Sequence, residues 1–129
     1  MKKTALICLL MICLVGVGVF SAPRPTLCVT MSVVTVTAYH PGVYGGHGAR
    51  GITASGMHVK EGIVAVSRDI EHVLNLGFGD RVLLHGLGVF EFQDRMASHV
   101  RQKVDVFMKT KQKAIRFGVR RSIVLVKLV

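Results

Sequence analysis

From about residue 30 onward, apolar and polar side chains alternate with a period nearer two than 3.6, the signature of half-buried strands. The segment Val33-Val34-Thr35-Val36-Thr37-Ala38-Tyr39 is the clearest case, rich in the β-branched residues that suit a pleated surface. Ile63 to Ser67, Arg81 to His85, Val89 to Gln93 and Val104 to Met108 repeat the pattern, and Arg120 to Leu128 supplies a sixth strand. Gly86-Leu87-Gly88 between two of these predicts a hairpin turn. Thr110 to Phe117 is the one convincing helical stretch, with Thr110 as N-cap, Ala114 and Phe117 facing inward, and Gly118 as C-cap. Between Pro41 and Gly56 the chain is too rich in glycine for an element interior and suits a loop whose backbone approaches a ligand. Six strands, one short helix before the last strand and no long crossovers predict a mainly β fold, a small six-stranded barrel, because closure removes exposed strand edges.

Ahead of this domain Lys2 and Lys3 precede an apolar run from about Ala5 to Phe20, followed by Ser21, Ala22 and Pro23. That order reads as a secretory signal peptide over residues 1–21, with cleavage after Ser21 placing Val19 at the −3 position. The alternative is an uncleaved anchor, for which the run is just short of the roughly 20 residues of a comfortable spanning helix. Residues 22–30, with Pro23-Arg24-Pro25, form a short extended linker, and residues 31–129 form the barrel domain. Of the three cysteines, Cys8 and Cys13 fall in the leader, so the domain keeps only Cys28 and no internal disulfide is expected.

The length of 129 residues allows one domain and excludes a second, while 50 % hydrophobic against 19 % charged residues excludes a disordered tail. A balance of 17 Lys and Arg against 7 Asp and Glu, formally +10, favours a polyanionic partner. Nucleic acid, anionic lipid and the acidic polymers of a bacterial envelope all satisfy it, and export removes nucleic acid from consideration. The expectation is therefore an exported monomer of the periplasm, cell envelope or extracellular space, touching a membrane only through an uncleaved leader.

With only seven acids, each can be weighed against its setting. Glu61, Asp69, Glu71 and Asp80 lie in turn contexts where solvated side chains are the default. Asp94 ends an apolar strand and Asp105 sits between Val104 and Val106, positions where a carboxylate is costly without partners or a task. The plainer reading pairs Asp94 with Arg95 or caps a turn with it, and bonds Asp105 to backbone amides.

Six strings in consecutive order carry a resemblance. They are Thr53-Ala54-Ser55-Gly56, Gly62 through Asp69, Gly77 through Val82, Asp94-Arg95-Met96, Val104 through Met108, and Ala114 with Phe117-Gly118-Val119-Arg120. Together, across roughly Val33 to Val126, they resemble the 3D (three-aspartate) domain family. That family is similar to the double-psi β-barrel of membrane-bound lytic transglycosylase A and, more distantly, to rare lipoprotein A and the expansins. The resemblance implies a double-psi barrel acting on peptidoglycan or a related anionic wall glycan. Asp94 stands at the family's second aspartate and Asp105 at its third. Ser67 stands where many members have the first, a departure for which Asp69, two residues on, could substitute by sharing a strand face.

A lytic transglycosylase needs only one acid/base, since the muramic acid's own C6 hydroxyl is the nucleophile, whereas a hydrolase needs a second carboxylate. The resemblance then assigns the acid/base role to Asp94, with Asp105 orienting it, and makes the glycine-rich loop through Thr53, Ser55 and Gly56 a wall of the groove. Tyr39 becomes a sugar-stacking platform, and Arg95 belongs to a basic set that attracts the anionic strand. The six histidines, His40, His47, His58, His72, His85 and His99, show no metal-binding spacing, so neither metal nor cofactor is expected. Two functions remain open: a glycan-cleaving enzyme, or a non-catalytic wall-binding or wall-loosening module.

Overall fold

The computed structural model describes residues 29–42 and 51–129. The predicted leader, residues 1–21, lies outside the described residues, as does the glycine-rich stretch 43–50 with His47. Among the described residues no helix is long and apolar enough to cross a membrane.

Six strands close into a barrel: β1 (Met31–Tyr39), β2 (Ile63–Val66), β3 (Arg81–Leu84), β4 (Gly88–Arg95), β5 (Lys103–Phe107) and β6 (Arg120–Leu128). Two short helices interrupt them, α1 (Arg68–Val73) and α2 (Lys111–Phe117). The closed order is β1-β5-β2-β4-β3-β6. The mainly β class and the six-stranded closure agree with the sequence pattern; the single helix does not. Expected as turn residues, Asp69 and Glu71 lie in α1, which places Ile70 in the core and is followed by buried Leu74 and Leu76. Six residues are too few for a 3.6-residue period to stand out against its strand-rich surroundings.

β1 runs parallel to β5 and β2 parallel to β4, while the other four pairings are antiparallel. Exchanging β1-β2-β3 for β4-β5-β6 reproduces every pairing with its sense. Each half also carries its helix between its second and third strands. The chain is thus two copies of one β-β-α-β pattern, interlocked.

Alternation decides which side chains fill the barrel. Val34 and Val36 of β1, Val64 and Val66 of β2, Val82 and Leu84 of β3, Phe92 of β4, Val104 and Val106 of β5 and Leu125 of β6 form one buried cluster. Valine dominates because a narrow interior admits little more than a β-branched side chain from each strand. The β3–β4 hairpin turns through Gly86 and Gly88, whose φ of 77° and 118° lie in the left-handed region that a β-carbon disfavours. As expected, Thr110 caps α2, its Oγ1 accepting from the Lys113 amide at 3.3 Å, and Gly118 follows at φ 66°.

Candidate functional site

A β-bulge makes the site. Between β2 and β4 the register runs Val64 to Phe92 and then Ala65 to Asp94, so Gln93 is the extra residue. Strict alternation would put Asp94 beside Phe92 inside the barrel; the bulge turns it to the outer face. There the registers align four outward positions in one row across four strands: Asp94 (β4), Ala65 (β2), Asp105 (β5) and Thr37 (β1). The two aspartates are two strands apart, about 10 Å between backbones. The small side chain of Ala65 lies between them.

Asp94 is 4 % exposed, yet fully engaged. Its Oδ1 accepts the amide N–H of Ala54 at 2.8 Å and that of Arg95 at 2.9 Å, and the Tyr39 hydroxyl donates to Oδ2 at 3.5 Å. The loop over the site is pinned by its own turn. Thr53 N–H donates to the Met57 carbonyl and Thr53 Oγ1 accepts from the Met57 amide, while Ser55 N–H reaches the Gln93 carbonyl at 3.1 Å. Thr53, expected to touch substrate, is 2 % exposed and builds this turn with Ser55; Gly56 provides its positive φ of 87°.

Asp105 is held differently. Thr37 Oγ1 donates to its Oδ1 at 2.9 Å, in place of the backbone amides of the plainer expectation. Burial pushes the Asp105 carboxyl above the usual carboxylate range; the charge of Asp94 adds to this, while the Thr37 hydrogen bond and Lys103 oppose it. Tyr39 hydrogen-bonds Asp94 and feels the charge of both carboxylates. Burial first, and then the charges of Asp94 and Asp105, push its phenol well up, so it stays protonated and donates. Its ring meets Phe107 edge-on at 5.4 Å.

Ser67 and Asp69 have another task. Ser67 is fully buried, and its Oγ accepts the Lys103 amide at 3.1 Å. Asp69 Oδ2 accepts the amide of Gln102, a residue at φ 49°, so the two side chains fix the entry into β5. Because β2 ends at Val66 and Asp69 belongs to α1, strand alternation does not carry Asp69 onto the aspartate row. Arg95 is also committed elsewhere. Its Nε and Nη2 grip Glu71, with Nη2 to Oε1 at 2.5 Å, and its guanidinium covers Phe78 at 4.4 Å. The Arg95 hydrogen bond holds the Glu71 carboxyl below its usual range despite burial.

Thr37, Ala54 and Ala65 complete the site without having been expected. Thr37 stands out only weakly, as an outward polar residue between Val36 and Ala38; Ala54 acts through its backbone; Ala65 matters through its small size. No group of His, Cys, Asp and Glu among the described residues could hold a metal ion. Comparisons of the chain with protein-family models and with curated proteins find no match.

Proposed function

We propose that this chain is a cell-wall glycan-cleaving enzyme of the lytic transglycosylase type, built on a double-psi β-barrel and exported to the envelope. The single observation that carries the reading is the row Asp94–Ala65–Asp105–Thr37, one buried and one half-buried carboxylate on one outer face flanking a small residue. The two parallel pairs, β1·β5 and β2·β4, enclosing the antiparallel β2·β5 pair support the double-psi assignment.

The surroundings favour exchanging the roles expected from the sequence. Asp105 carries the raised pKa that a proton donor needs. With Thr37 on Oδ1, its Oδ2 is the oxygen able to give a proton to the glycosidic oxygen as the bond to C1 breaks. The same carboxylate then accepts the proton of the C6 hydroxyl as that oxygen closes on C1, leaving a 1,6-anhydro end. Asp94, held by two amides, supplies fixed negative charge for the oxocarbenium-like transition state. No activated water is required.

Two observations favour a second reading, a non-catalytic glycan-binding module. Ser67, at the position of the family's first aspartate, is fully buried, and both oxygens of Asp94 are occupied by structural partners. Incubation of the purified chain with peptidoglycan sacculi separates the two. Soluble 1,6-anhydro muropeptides in the mass spectrum support the enzyme, and co-sedimentation without soluble fragments selects the binding module.

A further inference from the structure

The aspartate row occupies the outer face of β4-β2-β5-β1, which is half the circumference of the barrel. The other half is apolar. Across β4-β3-β6-β1 the register aligns Val89, Leu83, Val126 and Met31 as outward positions, and the adjacent pair Val124 and Val33 widens the row. Met31, Val33 and Val89 are 58 %, 57 % and 49 % exposed, and Val29, just ahead of β1, is 59 % exposed. Six apolar side chains side by side on one sheet face, three exposed and Leu83, Val124 and Val126 half-buried, are unusual for a surface, where such residues are ordinarily scattered. Nothing in the site described above uses them.

We infer that this face docks on an anionic lipid bilayer, leaving the aspartate row turned away from it. Two observations select that occupant. The charge around the patch is positive: Arg81 lies on the outward side of β3, and Arg120 and Arg121 open β6 at the end beyond Val33. Glu91 is the one acid on these outward rows, and Lys60 pairs with it at 3.9 Å. A second copy of a chain with formal charge +10 would be repelled where an anionic surface is attracted. The chain also enters β1 at the patch, and the apolar run from Ala5 to Phe20 ends nine residues before Val29. At full extension those residues span about 30 Å, so in the uncleaved alternative a bilayer holding the run lies within reach of Met31 and Val33. The inference is independent of what the carboxylates do.

The chain contains no tryptophan, so one introduced indole is a clean reporter. Val33→Trp and Val89→Trp place it on the patch. Val73→Trp, on the exposed side of α1, places it elsewhere. Each full-length variant is mixed with vesicles of phosphatidylcholine with brominated tails, with and without phosphatidylglycerol. The expected result is blue-shifted emission quenched by bromine at positions 33 and 89, strongest with phosphatidylglycerol, and none at position 73. Adding Arg81→Ala or Arg121→Ala should weaken the phosphatidylglycerol-dependent part about fivefold each. Equal quenching at all three positions, or none at 33 and 89 in folded protein, overturns the inference. A blue shift that grows with protein concentration and shows no bromine quenching also overturns it, assigning the face to a second copy.

Discussion

Asp94→Ala tests whether this carboxylate holds the loop over the site. The substitution removes the acceptor shared by the amides of Ala54 and Arg95 and the partner of the Tyr39 hydroxyl. A hydrogen bond to a charged group contributes about 1.5–3 kcal/mol, and a buried donor left unpaired costs about as much. Water can reach the partly exposed Ala54 amide, so the net loss should be about 3 kcal/mol rather than the sum of the two bonds. With a urea m-value of about 1.5 kcal/mol/M, suited to a chain of this size, the unfolding midpoint falls by about 2 M. Asp94→Asn keeps an acceptor oxygen for both amides and should lose only about 1 kcal/mol. Urea titration followed by circular dichroism gives both midpoints, and limited proteolysis should show faster cutting within residues 51–59 for the alanine variant alone. If Asp94→Ala unfolds at the wild-type midpoint with an unchanged m-value, Asp94 does not anchor the loop and the account of its burial fails.

Asp105→Asn should lower release of 1,6-anhydro products by about 10²–10⁴-fold, while co-sedimentation with sacculi is retained. Its raised folded-state pKa means that folded protein keeps a proton the unfolded chain has lost. Stability therefore falls as pH rises from the ordinary carboxylate value through the raised one, and Asp105→Asn should be the more stable protein at neutral pH, with no advantage in acid. Glu71→Gln leaves the Arg95 guanidinium without its counter-charge and should cost about 2 kcal/mol near pH 7. Because the Glu71 pKa is depressed, that difference should shrink as pH falls through its lowered value, which urea midpoints across the acid range will show. Ser67→Asp buries a charge at a fully enclosed position and should destabilise the fold by several kcal/mol instead of raising activity. Deleting Gln93 removes the bulge and lets Asp94 follow Phe92 in regular alternation, still opposite Ala65 on the outer face, so the purified variant should keep a cooperative thermal transition.

The strands were legible because their signal repeats. In β1 and β6 nine residues each alternate against a buried valine or leucine, and a pattern of that length survives an error of one or two positions at either end. α1 was not legible, since its six residues offer barely two turns and Ser67 makes no side-chain cap to announce them. At the site, Asp94 and Asp105 were visible as carboxylates misplaced in apolar strands. Their relation was not visible: it depends on the extra residue at position 93, and nothing local distinguishes Gln93 from any other strand position. Arg95 and Glu71 were misjudged for the same reason, because their pairing spans 24 residues and two elements, and only the closed barrel brings them together.

The interlocked halves explain why the row lies where it does. The exchange that maps β1-β2-β3 onto β4-β5-β6 carries Thr37 onto Asp94 and Ala65 onto Asp105, so the four positions form one set that maps onto itself. Topology alone would make the row symmetric: two like residues at its ends and two in its middle. The second half fills its two places with carboxylates, and the first half answers with a hydroxyl and a methyl group. Thr37 hydrogen-bonds Asp105, its neighbour in the row, and Ala65 keeps the space between the carboxylates open. Four aspartates there would repel one another on a partly buried face, and four small residues would have no chemistry. The asymmetric filling leaves two acids in different settings, one anchored by amides and one raised in pKa by burial. Such a separation suits a site in which one carboxyl carries a proton and the other a charge.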